Sequence, residues 1–550
     1  MKTIHQNQTA EWSFTSNKSS RNPFNEVELS VRFRRTDGEE KLVPAFWAGG
    51  KNWRVRFSSP LAGKFNFRTV CSDPSDSGLH DQAGDFQVKR YTGSNPLFRH
   101  GPIRVATDKR YFEHADGTPF FWLGDTWWMG LCKRLTWPKG FQTLARDRVK
   151  KGFTVVQIVA GLYPDMPAFD AHGANEAGFP WEKDYSRINP AYFDMADRRI
   201  QHLVESGLAP CIVGCWGYFL PWMGVEKMKK HWRNLVARYG SYPAVWCLAG
   251  EGTMPYYLSP NKEADRQFQK KGWTELAAYV RKLDPYHRPI TVHPSQSARY
   301  CVEDPSVLDF DMLQTGHQDR GALPNTVKCV RVACRTTPVM PVVEGEVCYE
   351  GIGEFCRSDV QRLMFWACIL NGAAGYTYGA NGIWQVNTRA HPFGPSPHGM
   401  SWGHTPWEEA YQLPGSHQLG VAKRLLARYP WWQFEPHPEW IEPPWTDELF
   451  DVPFTFGRHD IPLAAGIPGK VRIIYQPLGI SLKMVKRIEH GAHYRVRLFN
   501  PVSGTELDAG EVKPDADGNW IPHLPGLPLW CPFPIYQDWV IVLEAQDAQR

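Results

Sequence analysis

The chain of 550 residues has 12 cysteines but no C-x-x-C pair. It also lacks H-E-x-x-H, G-x-x-x-x-G-K-[ST] and G-x-S-x-G. These absences set aside zinc-ribbon and thioredoxin-like sites, helical zinc hydrolase sites, P-loops and the nucleophile elbow. No G-x-G-x-x-G opens a helix. The nearest stretch, Gly351-Ile-Gly353-Glu-Phe-Cys, fails at the third glycine and argues against a dinucleotide fold. Neither sign of charge is in excess: 62 Lys and Arg against 57 Asp and Glu leave +5. That balance marks neither nucleic acid nor an anionic membrane as the main partner. Uncharged runs long enough to span a bilayer are broken, Ser206–Val225 by Pro210 and Pro221 and Leu363–Thr388 by Asn371-Gly372 and Asn381-Gly382. The first residues, MKTIHQNQTAEWSF, hold no apolar h-region, so a secretory signal is not expected. Cys247 and Cys368 sit inside apolar runs and read as buried free thiols; a soluble, cytoplasmic protein is the expectation.

Aromatic residues, by contrast, are abundant: 24 Trp, 21 Tyr and 29 Phe. They can fill a core, line a groove or stack a ligand. Hydropathy patterning divides the chain into three. Residues 1–98 alternate with period two, as in Val27–Phe33 and Lys64–Val70, with turns at Asp37-Gly38 and Gly49-Gly50, which predicts a β-sandwich. Residues 99–429 alternate apolar strand-like runs with amphipathic helical stretches. The strands are read at Phe120–Gly124, Thr154–Ala160, Ala209–Cys215, Ala244–Ala249, Pro289–His293, Asp309–Leu313, Val339–Val343 and Gly375–Tyr378. Helices are read at Phe141–Lys151, Ala191–Ser206, Glu263–Leu283, Asp359–Asn371 and Thr405–Arg428, among others. Eight such units predict an α/β fold of the (β/α)8 TIM-barrel type, with a doubly wound sheet as runner-up. Residues 430–550 lose the helical period and carry strand-like runs, which predicts a second small β-domain, a C-terminal sandwich.

A barrel of this kind works at the C-terminal ends of its strands. Two glutamates stand there, Glu251 after the fourth strand and Glu344 or Glu346 after the seventh. Opposed strands can aim two carboxyl groups at one point, and glycoside hydrolysis needs such a pair. One stays protonated to serve the leaving oxygen; the other faces the anomeric carbon. Neither glutamate has a basic residue within three positions, so an ordinary local ion pair does not account for them. Trp127, Trp128, Trp216, Trp222 and Trp384 fall in the same predicted loops, where rings can pack on the apolar faces of sugars. Base stacking is the nucleic-acid alternative, but it lacks a basic groove. A metal at His293, His317 and the acids is a further alternative; single histidines at loop starts are more often hydrogen-bond partners, and neither metal nor cofactor is expected. The loops Leu162–Asn189 and Ala380–His404 are long enough to close a pocket.

Particular stretches resemble a known group. Phe121–Trp127 (FWLGDTW), Val245–Glu251 (VWCLAGE), Asp309–His317 (DFDMLQTGH) and Pro341–Glu350 (PVVEGEVCYE) are similar to the DUF4038 proteins, which include the apiosidases of glycoside hydrolase family 140. Asn22-Pro23-Phe24, Asn52–Phe57 and Ala62–Phe65 resemble the DUF5060 sandwich. The C-terminal part resembles the small β-domain that carries a collagen-binding label in that group. The resemblance implies a retaining mechanism with Glu251 as acid/base and Glu346 as nucleophile, since Glu346 matches the family's Gly-Glu-x-x-Tyr-Glu stretch; Glu344 is the alternative. It leaves Asp125, Trp127, Trp216, His293, Gln314, His317, Tyr349 and Trp384 as substrate-binding candidates, with Tyr349 holding the nucleophile and Trp384 as a stacking platform. Two departures stand out. Gly250 replaces the Asn that usually precedes the acid/base in the wider clan, and Glu251 replaces the Asp of the apiosidase pattern. The expected activity is cleavage of a glycosidic bond in a plant- or microbe-derived oligosaccharide or small glycoside, a pentofuranoside such as apiose among them. The alternatives are a non-catalytic carbohydrate-binding protein on the same fold and a barrel lyase. A carbohydrate is the one partner expected; a homo-oligomer is left open.

Overall fold

The computed structural model describes residues 2–450, 458–479, 481–522 and 533–546. The expected C-terminal domain at 430–550 is therefore described in part. In the first part a five-stranded sheet, from Lys2–His5 to Glu40–Pro44, faces a three-stranded sheet of Ala10–Thr15, Phe46–Trp47 and Asn52–Phe57. Alternation drives this packing. In Gly63–Cys71 every second side chain is buried, and Phe65 and Phe67 join Phe33, Phe57 and Phe86 in an aromatic core.

The middle of the chain forms the barrel. Its strands are β1 (Trp122–Thr126), β2 (Val155–Val159), β3 (Ala209–Val213), β4 (Val245–Cys247), β5 (Ile290–Thr291), β6 (Asp311–Gly316), β7 (Val342–Val347) and β8 (Gly375–Tyr378). All pair in parallel, in the order β5-β4-β3-β2-β1-β8-β7-β6. The strands read as apolar runs because helices cover their outer face. Those helices are α1 (Lys139–Lys151), α2 (Pro190–Glu205), α3 (Val225–Tyr239), α4 (Lys262–Leu283), α5 (Leu323–Arg335), α6 (Ser358–Ile369) and α7 (Pro414–Leu426). The expected helix at Thr405–Arg428 is split, with Trp407–Ala410 separate from α7, because Pro414 opens the second piece. Between β5 and β6 only two short 3-10 turns form. The connection 292–310 forms no crossover helix, and β5 and β6 do not pair as a ladder. The gap is bridged by Asp309 N–H donating to the Ile290 carbonyl at 2.9 Å and by a lone bridge between Ser297 and Leu313. The barrel is thus nearly closed.

In the last part a six-stranded antiparallel sheet packs against a two-stranded ribbon, Ile441–Glu442 with Met484–Val485, around Trp440, Ile474, Val485, Val496, Trp539 and Ile541. It is joined to the barrel by Arg362 of α6, which donates two hydrogen bonds of 2.7 Å to Asp538, both residues buried. Eleven described cysteines are free, ten of them buried. No helix among the described residues is long and apolar enough to cross a membrane.

Candidate active site

A cavity of about 120 Å³ opens at the C-terminal ends of the barrel strands. Glu251 and Glu346 both line it. Glu346 belongs to β7 itself, which runs to Val347, so the strand reaches further than expected. Two residues apart on a strand normally share a face, and Glu344 and Glu346 do not. The β6–β7 ladder shifts register here: Leu313 pairs with Glu344, and then Gln314 pairs with Glu346, which leaves Gly345 as a bulge. Glu346 is carried to the Gln314 face, into the cavity. Glu344 is turned toward the helices, where Thr315 donates to it at 3.1 Å and Thr315 in turn meets Thr326 of α5. Fully buried there, the Glu344 carboxyl is pushed well above its ordinary range by loss of solvent.

Three donors and a second imidazole surround Glu346. His317 Nε2–H donates to Oε1 at 2.9 Å, and Tyr349 N–H reaches His317 Nδ1 at 3.4 Å, which leaves the ring proton on Nε2. The Tyr349 hydroxyl donates to Oε2, and Trp128 Nε1–H donates to that hydroxyl at 3.0 Å. Beneath them His293 Nε2 stands 3.2 Å from Oε2. Gln314 Nε2 completes the set at 3.5 Å from Oε1. Burial by itself would raise this carboxyl, but the two imidazoles more than offset it and bring it down to about 2. Glu251 sits in the opposite situation. Burial, reinforced by the Glu346 charge, pushes its carboxyl up to about 8. Its partners are Trp216 Nε1–H at 3.3 Å and Gln314 Nε2 at 3.2 Å. One amide nitrogen therefore touches both acids and holds them closer together than the sum of its two contacts. The result is one protonated and one ionised carboxyl group facing a common space.

Glycine makes this packing feasible at two points. A Cβ on Gly250 would lie 2.1 Å from the Trp216 ring, and one on Gly379 would lie 2.0 Å from the Tyr349 ring. The first contact accounts for Gly250 in place of Asn: the indole fills the volume a side chain there would need. Glu251 itself has φ of 42°, a strained conformation of the kind that clusters at functional sites.

Of the other expected substrate contacts, Trp216, Gln314, His317, Tyr349 and Trp384 line the cavity. Trp384 is stacked on Tyr349 with centroids 6.3 Å apart. Asp125, Trp127 and His293 are not among the residues that line it. All three are fully buried. Asp125 accepts from Trp127 Nε1–H at 2.6 Å and from Arg148 Nε–H at 2.5 Å, so its charge is spent on a cation 23 residues further along. His293 faces Glu346 from beneath. Trp222 lies outside the cavity, against Tyr218 and Tyr256 with centroids 4.9 Å away. Missed by the sequence reading were Asp165, Tyr257 and Trp402, which also line the cavity. Among the described residues no group of three or more His, Cys, Asp or Glu is placed to hold a metal ion.

The Asp125–Arg148 pair behind the site makes a stability prediction. Removing one partner of a buried ion pair leaves an uncompensated charge, at a cost of about 3–5 kcal/mol. Arg148→Met should lower the urea midpoint of the barrel transition by a corresponding amount. A change below about 1 kcal/mol would show that Asp125 is stabilised by something other than this pair.

A barrel that brings two buried carboxyl groups together at its strand ends has the arrangement that glycoside hydrolases use. Residues 106–433 match the family described as Apiosidase-like, catalytic domain, and the chain belongs to that family. Residues 3–72 match DUF5060, a domain of unknown function. No curated protein matches the sequence significantly. Among solved structures, one described as a glycoside hydrolase is 21% identical, covers 83% of this chain and 100% of its own, and has a TM-score of 0.63. A glycoside hydrolase family 5 structure from Bacteroides vulgatus ATCC 8482 is 21% identical, with 83% and 96% coverage and a TM-score of 0.65. Another structure from the same organism spans 99% of this chain and 100% of its own at 16% identity, with a TM-score of 0.68. At these identities the likeness establishes the fold alone.

Proposed function

We propose that this glycoside hydrolase works with retention by double displacement. Glu346 attacks the anomeric carbon while Glu251 gives its proton to the departing oxygen; Glu251, now ionised, then takes a proton from the water that releases the sugar. The observation that carries this reading is the single Gln314 amide in contact with both carboxyl groups. It draws one oxygen of each carboxyl group toward a common donor, which is compatible with the spacing of about 5–5.5 Å used by retaining enzymes. Opposed ionisation supports the same roles, since a nucleophile must be charged and an acid must carry its proton. The family name suggests an apiose-like pentofuranoside as substrate, and a plant- or microbe-derived oligosaccharide or small glycoside fits the cavity's mixture of rings and polar groups.

Proton NMR of the first product from a panel of 4-nitrophenyl glycosides tests this reading. The expected product has the anomeric configuration of the substrate; the inverted anomer as first product would refute double displacement. The ionisations also set a pH profile. Glu346 is charged above about 2 and Glu251 is protonated below about 8, so kcat/KM should be level across weakly acidic and neutral pH. Above about 8, with alkyl or sugar aglycones that need a proton to depart, it should fall tenfold per pH unit as the acid loses its proton. A profile still rising at pH 9 would contradict Glu251 as the acid.

A further inference from the structure

The cavity holds a third acid that neither proton transfer uses. Asp165 lies in the loop after β2, is buried, and has a positive φ of 56°. Its oxygens accept from two other loops. The Tyr257 hydroxyl, from the loop after β4, donates to Oδ1. Ser396 Oγ–H at 2.9 Å and Trp402 Nε1–H at 3.0 Å, both from the loop after β8, donate to Oδ2. His398 Nε2 stands 3.9 Å from Oδ1, and its ring packs edge-on against Tyr257 with centroids 4.6 Å apart. A carboxylate offers about four acceptor positions, and three of these are filled by loop donors. Asp165 is thus committed to the loops rather than to a sugar hydroxyl, which makes it a positioning residue.

The tie has a consequence for the shape of the site. Asp165, Tyr257 and Trp402 line the cavity together with Trp128, Trp384 and Ile352. A volume of about 120 Å³ is well below the 300–1,000 Å³ of sites for larger ligands. A polymer crossing the barrel mouth would need the loops after β2, β4 and β8 to stand apart, and these hydrogen bonds hold them together. We infer that Asp165 is the latch that joins the loops after β2, β4 and β8 and makes the site a dead-end pocket for one terminal sugar residue, so that the enzyme cuts from chain ends. This rests on the glycosidase reading above; the latch itself can be judged without it.

Hydrogen exchange of the full chain, read by mass spectrometry, tests the latch. Asp165→Asn keeps the shape but turns an amide NH2 toward groups that are themselves donors. Exchange should rise at least tenfold in 254–258 and 393–402 as well as in 162–166, with the barrel strands unchanged. Should that variant fold poorly, Tyr257→Phe and Trp402→Phe remove one donor each, and each should loosen the loop after β8. Faster exchange confined to 162–166 would overturn the latch. For the pocket, wild type is offered 4-nitrophenyl monosaccharides and the same glycosides methylated on the hydroxyl farthest from the anomeric carbon, the 4-hydroxyl of a pyranoside or the exocyclic hydroxymethyl of a furanoside. Cleavage of the free form at least 100-fold faster is expected; in Asp165→Asn, KM should rise at least tenfold and that preference should shrink at least tenfold. Equal cleavage of both forms by wild type would overturn the end-acting pocket. No cleavage of any member, with the exchange result as expected, would count against the glycosidase reading and leave the latch standing.

Discussion

Glu346→Gln should abolish turnover, with kcat reduced on the order of 10⁴-fold or more, while the protein still folds. Glutamine keeps the volume and can still accept from His317, but it is a poor nucleophile and offers no charge to an oxocarbenium-like carbon. The change should also be felt across the cavity. The Glu251 carboxyl is raised first by burial and then by the Glu346 charge. Removing that charge should lower it, and the carboxyl signal of Glu251 in a 13C-labelled protein should titrate at lower pH than in wild type. Glu344→Gln is the matched comparison. Glu344 is fully buried and turned toward the helices, and burial pushes its carboxyl well above the ordinary range, so a neutral isostere should leave kcat within about tenfold of wild type. Near-normal turnover in Glu346→Gln, with Glu344→Gln inactive, would reverse the assignment.

The contrast between these two glutamates also shows where sequence reading stops. Apolar runs alternating with amphipathic helices led to a barrel, because a covered parallel sheet leaves that pattern whatever its function. The strand-end rule then placed Glu251 and the Glu344–Glu346 pair near a common centre. It could not choose within the pair. Period two puts both on one face, and the bulge at Gly345 that separates them depends on pairing with β6, which has no local signature. Asp125 illustrates a different limit. An acid at a strand end reads the same whether it faces a cavity or a buried Arg148, and only the fold brings Arg148 to it. Asp165, Tyr257 and Trp402 were invisible for a related reason. They come from three loops, and their hydrogen bonds span 92 and 237 positions. Gly250 looked like a missing functional group, yet the Trp216 ring fills its place and hydrogen-bonds the acid it precedes. The aromatic surplus likewise divides only in three dimensions: Trp127, Trp246 and Trp366 are core, whereas Trp128, Trp216, Trp384 and Trp402 reach the cavity.

Replacing Glu251 by alanine should produce a defect that depends on the leaving group. A general acid is worth about 10²–10⁴-fold where the departing oxygen needs a proton. Glycosides with alkyl or sugar aglycones should therefore lose that much in the first step. A 4-nitrophenolate leaves without help, so formation of the glycosyl-enzyme from 4-nitrophenyl substrates should be nearly intact. The second step then becomes limiting, because water has no base to activate it. A burst of 4-nitrophenol followed by slow turnover is the expected time course. Azide needs no deprotonation, and it should speed the slow phase and give a glycosyl azide of the same anomeric configuration as the substrate. The fall of kcat/KM above pH about 8 should vanish with the carboxyl that causes it. These effects separate an acid/base from a residue that only supports the site: losing a structural contact of Trp216 or Gln314 would slow good and poor leaving groups alike, and azide would not help. An equal loss on both classes of substrate, without rescue, would remove Glu251 from the acid/base role while leaving Glu346 free to stand or fall on its own test.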